Sequence, residues 1–320
     1  MVTREEVAAY AGVSKTTVSR VMNNNGYVSS ENRKKVEEAV AALGYKPNLI
    51  ARSLKMKSTR QILFYAPDMI NPFYFEVYQG MDDCAVQNGY TIVVSRHFKP
   101  EMINGRQFDG IILSDIPREY KEYLSDQFPA VVTSYTERPM EIPYVGIDIR
   151  SGAISAMQYL IDYGHKDICF SNSYFSHEDM RCISYMEVLR NNHISFDPDK
   201  LLIEGGEGDY YSVGHQSVER MLSRNVEATA ITAFNDATAI GILAALHKHG
   251  LKVPEDISVM GFDDIRQAAY TYPPLTTVHI PKYEQGYESM KMLIDIIQGE
   301  KPQPKKLKTQ LIVRESTAAL

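Results

Sequence analysis

The sequence predicts an all-α helix-turn-helix head followed by an α/β body of two lobes, each built on a doubly wound parallel sheet. Three observations point there. Residues 1–60 carry eleven Lys/Arg against five Asp/Glu, a net of +6, while the other 260 residues carry 23 bases against 35 acids, a net of −12. Two short helical patterns meet at Gly12, and the second has an apolar stripe opposite a polar one. Beyond Gln61, continuous Val/Ile runs alternate with helical patterns, as buried parallel strands do.

Composition bounds the rest. With 320 residues, 44% hydrophobic and 23% charged, the chain is too apolar for disorder and long enough for an ordinary core in roughly one to three domains. Cys84, Cys169 and Cys182 are odd in number and form no Cys-x-x-Cys, which argues against a disulfide framework and a thiolate metal site. Met1-Val2-Thr3-Arg4-Glu5-Glu6 opens with no apolar run, and no stretch of 18 apolar residues follows, so neither a secretory signal nor a membrane span is expected. The expected compartment is the reducing cytoplasm. A basic head beside an acidic body is the electrostatic footprint of a nucleic-acid binder, although a solvated Lys-rich surface has the same composition.

The head begins with Thr3-x-x-Glu6, a capping box opening a helix that carries Val7, Ala8 and Tyr10. Gly12 supplies the positive φ of a tight turn, and Ser14 caps a second helix. There Val18, Val21 and Met22 share one stripe, with Thr16, Ser19, Arg20 and Asn23 opposite and Lys15 in the first turn. A third helix runs from about Ser30 to Leu43 with Val36, Val40 and Leu43 inward, stopped by Gly44. Two helices joined at a Gly, the second polar on one face, form a helix-turn-helix. Arg20 is the side chain able to bond guanine O6 and N7 together. Asn23, Tyr27 and Ser29 suit phosphate oxygens, which set register without reading sequence.

Next, Pro47 to Lys57 allows a helix of about nine residues, capped by Asn48, with Ile50 and Leu54 on one face. That length is marginal in water without outside support. Ala51 and Ser53 are small enough for a symmetry mate to approach, which would leave Leu54 free as a minor-groove wedge. On spacing alone, a linker whose Leu54 packs on the body ranks ahead of the wedge.

In the body the expected strands are Ile62–Ala66, Thr91–Ser95, Gly110–Ser114, Ala130–Ser134, Tyr144–Ile147, Ile168–Asn172, Thr229–Phe234, Ile257–Phe262 and Thr276–Ile280. Expected helices lie near Phe75–Asn88, Ser151–Tyr163, Asp179–Asn191, Tyr211–Ser223, Ala237–His249 and Tyr283–Gln298. So many strands require two sheets, with a ligand at the strands' carboxyl ends, between the lobes. Those ends carry Asp68, Phe73 and Tyr74, then Asp148, Asn235-Asp236 and Asp263-Asp264. Carboxylates and amides that take hydroxyl pairs, with rings that stack on a sugar face, hold polyhydroxyl ligands. Helix capping is the competing explanation, at least as good at Asp148 and Asp236. At Asp263 the second acid, Asp264, leaves one carboxylate for contact.

No catalytic or metal-binding signature is found. Gly-x-Ser-x-Gly, a Walker-type loop and His-Glu-x-x-His are all missing from the sequence. Gly205-Gly206-Glu207-Gly208 lacks dinucleotide spacing, His247-x-His249 reads as two surface histidines, and His177-Glu178-Asp179 reads as a helix start. No enzyme activity, cofactor or metal is expected.

Val7-Ala8-x-Tyr10-Ala11-Gly12-Val13-Ser14-x-x-Thr17-Val18-Ser19-Arg20-Val21 resembles the head of the LacI/GalR regulators. The match continues through Val28-Ser29, Leu43-Gly44-Tyr45-x-Pro47-Asn48 and Ala51-x-x-Leu54. In the body it includes Pro67-Asp68 with Asn71-Pro72-Phe73, Asp109-Gly110-Ile111-Ile112, Gly164-His165-Lys166, Phe234-Asn235-Asp236, Gly261-Phe262-Asp263-Asp264 and Pro273-Pro274-Leu275-Thr276-Thr277. The resemblance spans nearly the whole chain.

It implies a periplasmic-binding-protein-like body and a homodimer on near-palindromic double-stranded operator DNA, repressing transcription under control of a small effector, a sugar or sugar phosphate. Lys15, Thr16 and Arg20 then stand where bases are read, and Leu54 becomes the minor-groove lever, reversing its ranking. Thr3, Ser14, Thr17, Ser19, Asn23, Tyr27, Ser29, Asn48 and Ala51 complete the expected DNA-facing set. Phe73, Asp148, Arg181, Asn235 and Asp263 stand at the family's effector positions, beside Asp68 and Tyr74. The expected divisions are 1–46 for the DNA-binding domain, 47–59 for the hinge helix and 60–320 for effector binding and dimerisation. Its N-lobe takes about 60–163 and 281–306, and its C-lobe about 164–280 and 307–320. A corepressor-type regulator tightened by its ligand is the alternative within the class; a sugar-binding receptor without a DNA role is a weaker one. Two departures stand out. Ser184 replaces the Gly usual three residues after Arg181, and the segment from Ser95 to Asp109 is too short for the family's full crossover helix. No trailing Leu heptad precedes Leu320, so a C-terminal coiled-coil tetramer is not expected.

Overall fold

A computed structural model of the chain describes residues 2–23, 25–46, 58–99, 101–102, 107–114, 128–134, 142–174, 179–205 and 209–320. The expected hinge helix, with Asn48, Ala51 and Leu54, lies outside the described residues, as does His177. The chain forms two compact units, Met1–Thr59 and Arg60–Leu320.

The first unit contains α1 (Arg4–Ala11), α2 (Lys15–Asn23) and α3 (Ser30–Leu43). Thr3 and Glu6 form the capping box, and Gly12 and Gly44 end α1 and α3 at φ 64° and 61°. Val7, Val18, Val36 and Ala39 are fully buried. Val40 and Leu43, expected inward, are only half-buried, because Ala39 takes the place nearest α1. Arg4 Nε donates to the Tyr45 hydroxyl at 3.2 Å, tying the first helix to the residue after the third.

In the second unit, β1 (Gln61–Tyr65), β2 (Thr91–Ser95), β3 (Gly110–Leu113), β4 (Ala130–Ser134), β5 (Tyr144–Ile147) and β11 (Lys305–Leu307) form one parallel sheet, ordered β11-β5-β4-β3-β1-β2. A second parallel sheet, ordered β7-β6-β8-β9, contains β6 (Ile168–Asn172), β7 (Leu201–Ile203), β8 (Ala230–Ala233) and β9 (Ser258–Met260). An antiparallel pair, β10 (Thr277–His279) and β12 (Gln310–Ile312), lies on the segments that pass between them. The helices are α4 (Pro72–Gln87), α5 (Ile149–Asp162), α6 (Met180–Asn191), α7 (Tyr210–Ser223), α8 (Asp236–Lys248) and α9 (Lys282–Ile297).

One close approach recurs in both lobes. A Cβ on Gly80 of α4 would meet the Tyr283 carbonyl at 2.0 Å, and one on Gly286 of α9 would meet the Val77 carbonyl at 1.8 Å. Gly214 of α7 and Gly241 of α8 repeat the arrangement, each 2.0 Å from a backbone oxygen of the facing helix. Each lobe thus has a helix pair pressed backbone to backbone, which only glycine permits.

Three strands escaped the sequence reading. β7, β11 and β12 are three residues each, and Lys305-Lys306-Leu307 has one buried side chain, so no apolar run marks it. α5 packs against α6, β10 and β12. Between β2 and β3, only 101–102 are helical among the described residues. Phe98 and Phe108 instead pack on Leu63, Ile111, Leu113 and Val132, covering the sheet face with two rings.

Candidate functional site

In the head, Ser14 accepts from the Thr17 amide at 3.1 Å, and the two hydroxyls lie 2.9 Å apart, so this pair starts α2. Burial of Val18 and Val21 turns Lys15, Thr16 and Arg20 to the exposed face, with Ser19 half-buried beside them. Lys15 pairs with Glu5 of α1, holding the Glu5 carboxyl below its ordinary range. Tyr27 is 89% exposed, the setting of a side chain that reaches for an external partner. Ser29 caps α3 through the Asn32 amide, and Thr3 exchanges bonds with Glu6; both have local structural work.

In the body, the carboxyl ends of the strands bring most of the expected residues together. Asp179 accepts from the amides of Arg181 and Cys182 and receives the Arg181 guanidinium on both oxygens, at 3.3 and 3.2 Å. The same guanidinium donates to the Phe234 carbonyl at 3.0 Å and lies 3.5 Å over the Phe234 ring. Tyr210 stacks on Phe234 at 6.0 Å, and Tyr174 meets its edge at 5.9 Å. An aromatic wall therefore lines the second sheet's end, with a neutralised cation behind it.

Asn235 caps α8, accepting from the Thr238 amide at 2.8 Å. Asp236, for which capping was the competing explanation, is inside the helix. It accepts from the Thr277 hydroxyl at 2.6 Å and the Ile265 amide at 2.8 Å, and burial with Asp263 nearby raises its carboxyl well above the usual range. A Cβ at Gly261 would lie 2.2 Å from Asp236 Oδ1, which explains the glycine there.

Asp263 is 3% exposed, and its Oδ1 has no hydrogen-bond partner among the described residues. Burial pushes its carboxyl up to about 7, against the pull of Arg181 and Lys282. Its backbone sits at φ 114°, with Asp264 at 54°, a strained pair for side chains with a Cβ. Lys282, fully buried, holds that loop: Nζ donates to the carbonyls of Asp263 at 2.6 Å and Asp264 at 2.9 Å, with Glu76 of α4 at 3.7 Å. Asp264 is taken by Arg314 at 2.6 Å and His279 at 2.9 Å, leaving Asp263 as the carboxylate without an ion pair among the described residues.

On the first sheet, Asp68 is half-buried, and burial raises its carboxyl against the pull of the nearby Tyr210 hydroxyl. That proximity brings the two lobes together at their strand ends. Asp148 caps α5 through the Ser151 amide at 3.3 Å and pairs with Lys306 at 3.1 Å; these partners outweigh its burial and lower its carboxyl. Phe73 is 2% exposed within the core, and its ring meets Tyr74 edge-on at 5.2 Å, so Tyr74 is the more exposed ring of the two. Sequence reasoning missed Asn172, Tyr174, Tyr210 and Lys282. Asn172 ends β6, is fully buried, and leaves its Nδ2 without a partner among the described residues. Tyr210, the first residue of α7, gave no signal apart from the aromatic pair with Tyr211.

Among the described residues no group of three His, Cys, Asp or Glu is arranged for a metal ion, and no helix is long and apolar enough to cross a membrane.

Residues 3–48 match the family of bacterial regulatory proteins named for lacI, and residues 157–317 match a periplasmic binding protein-like domain. The chain is 32% identical to the HTH-type transcriptional repressor CytR of Escherichia coli strain K12 over 338 aligned positions, covering 99% of this chain and 97% of that protein. A lac repressor dimer solved with operator and the anti-inducer ONPF superposes with a TM-score of 0.86 at 27% identity, over 99% of both chains. The transcriptional regulator CelR in complex with cellobiose superposes at 0.69 with 30% identity, over 99% of this chain and 100% of that one. The head motif, the two-sheet body and relatives matching end to end agree: the chain belongs to the lacI family of bacterial regulatory proteins.

Proposed function

We propose that this protein is a transcriptional repressor that binds operator DNA as a homodimer through α2 and is controlled by a small polyhydroxyl effector held between the lobes. The observation that carries the reading is Asp263: a buried carboxylate with an oxygen orphaned among the described residues, at the carboxyl ends of parallel strands, in a chain whose separate basic head exposes Lys15, Thr16 and Arg20. The orphaned oxygen asks for a hydroxyl donor, and Phe234, Tyr174 and Tyr210 offer faces to a sugar ring. Lys15, Thr16 and Arg20 read base edges, and Asn23, Tyr27 and Ser29 take phosphates. Residues 47–59, with Leu54, are the proposed hinge between head and body that DNA and the dimer mate would stabilise. Effector and operator oppose each other, so their coupling is reciprocal, about 1–3 kcal/mol. Relatives and neighbours support this: one is named a repressor, one was solved on operator, and one holds cellobiose.

The test is fluorescence anisotropy of the full chain with near-palindromic duplexes selected from random sequence, with and without sugars. The expected result is sequence-selective binding that a bound sugar weakens. Equal affinity for every duplex overturns the reading, and tightening by the sugar replaces release with corepression.

A further inference from the structure

We infer, resting on the reading that the cleft takes a polyhydroxyl effector, that this effector is uncharged and is not a phosphate ester. Of the described cations at the strand ends, Arg181, Lys282 and Lys306 are each matched by an acid, and Arg96 is held on a backbone carbonyl beside Asp68. Arg181 is neutralised on both oxygens of Asp179 and has its third bond and one face committed to Phe234. Lys282 is enclosed by backbone carbonyls and by Glu76 at 3.7 Å. Lys306 pairs with Asp148 at 3.1 Å, and Arg96 donates to the Pro67 carbonyl at 3.1 Å next to Asp68.

Helix N-termini are the other common phosphate cradle, because their first amides lack partners. Here five of the six described body helices are capped by a side chain of their own chain; α9, which follows Pro281, has no side-chain cap but carries Glu284 in its first turn. Asn71 takes the Phe73 amide, Asp148 that of Ser151, Asp179 those of Arg181 and Cys182, Asp209 that of Ser212, and Asn235 that of Thr238. Three of these five caps are carboxylates, and Asp236 adds another acid in the first turn of α8.

Among the described residues, the groups left wanting at the strand ends include a carboxylate oxygen, Asp263 Oδ1, an amide donor, Asn172 Nδ2, and the Ser114 hydroxyl after β3. Sugar or nucleoside hydroxyls satisfy each of these, since a hydroxyl donates once and accepts twice. A phosphate ester brings two negative charges towards Asp263 in a poorly hydrated site, where repulsion is strong.

The experiment compares ribose, glucose, cellobiose and adenosine with ribose 5-phosphate, glucose 6-phosphate and AMP on the full chain. Thermal shift serves for detection and calorimetry for affinity. At least one unphosphorylated compound is expected to bind, and its phosphate ester to bind at least about tenfold more weakly. An ester that binds as well as its parent, or better, overturns this inference while leaving the polyhydroxyl reading intact. If no compound of either set binds, both fail. Asp179→Asn keeps a capping side chain but releases the Arg181 charge, so it should narrow the gap between parent and ester several-fold. An unchanged ratio in D179N, with the fold intact by circular dichroism, rejects Asp179 as the neutralising group.

Discussion

At the scale of single residues, one carboxyl sets the sharpest expectation. Asp263 is raised to about 7 on folding by burial, and Asp236 is raised in the same direction. Between its ordinary range and about 7, the folded protein holds a proton that the unfolded chain has released, so stability is present at low pH and is lost as pH rises through that window. Asp263→Asn mimics the protonated form. It should stabilise the protein at pH 8 by about 2–4 kcal/mol and flatten the fall in stability between pH 4 and 7, as read by urea melts across pH. It should also abolish the effector response while operator binding persists. A variant with the wild-type pH slope and a normal response would reject the assignment. In the head, Arg20 is exposed on the face opposite buried Val18 and Val21. Arg20→Ala should cost about 1–3 kcal/mol on the preferred operator and relax the preference among operator variants. A uniform loss across all sequences would make Arg20 a phosphate contact.

At the scale of elements, the contact of α4 with α9 depends on the absence of two methyl groups. A Cβ at Gly286 would overlap the Val77 carbonyl at 1.8 Å, and that atom is backbone, so the helices must part. Gly286→Ala is expected to lower stability by about 1–3 kcal/mol even though Ala is the better helix former, because overpacking outweighs the propensity gain. A denaturation midpoint equal to that of wild type would show that the pair relaxes freely. The caps of α1 and α2 were legible in Thr3 and Ser14, since capping acts over three or four residues of sequence, whereas Ser29, read as a phosphate contact, also caps α3. β7, β11 and β12 were not legible, because three residues on a sheet edge or a crossing segment carry no period of their own.

At the scale of the molecule, the Tyr210 hydroxyl approaches Asp68 across the two lobes, bringing the exit of β1 to the start of α7. Losing a hydrogen bond to a charged group costs about 1.5–3 kcal/mol. Tyr210→Phe should therefore let the lobes part more easily and raise the effector dissociation rate about tenfold in stopped-flow measurements. An unchanged rate would place the closing contacts elsewhere. Lys282 is the second such link, joining the strained Asp263-Asp264 loop to Glu76 on α4.

The amino-acid sequence alone determined the head and its polar face, the alternation of buried strands and helices, the charge contrast between the two parts, and the cluster of Asp and Asn at strand ends. All of these arise from interactions between near neighbours or from composition. Only the tertiary structure decided which strand-end acids are occupied. Asp148 went to its cap and Lys306, Asp236 to Thr277 and Ile265, and Asp264 to His279 and Arg314, while Asp263 kept an oxygen without a partner among the described residues. Those partners lie as far as 158 positions away along the chain, and the Lys282 contact with Glu76 spans 206. The side chain that meets a given acid depends on how the two sheets and their crossings are placed in space, and no local pattern of residue types encodes that placement.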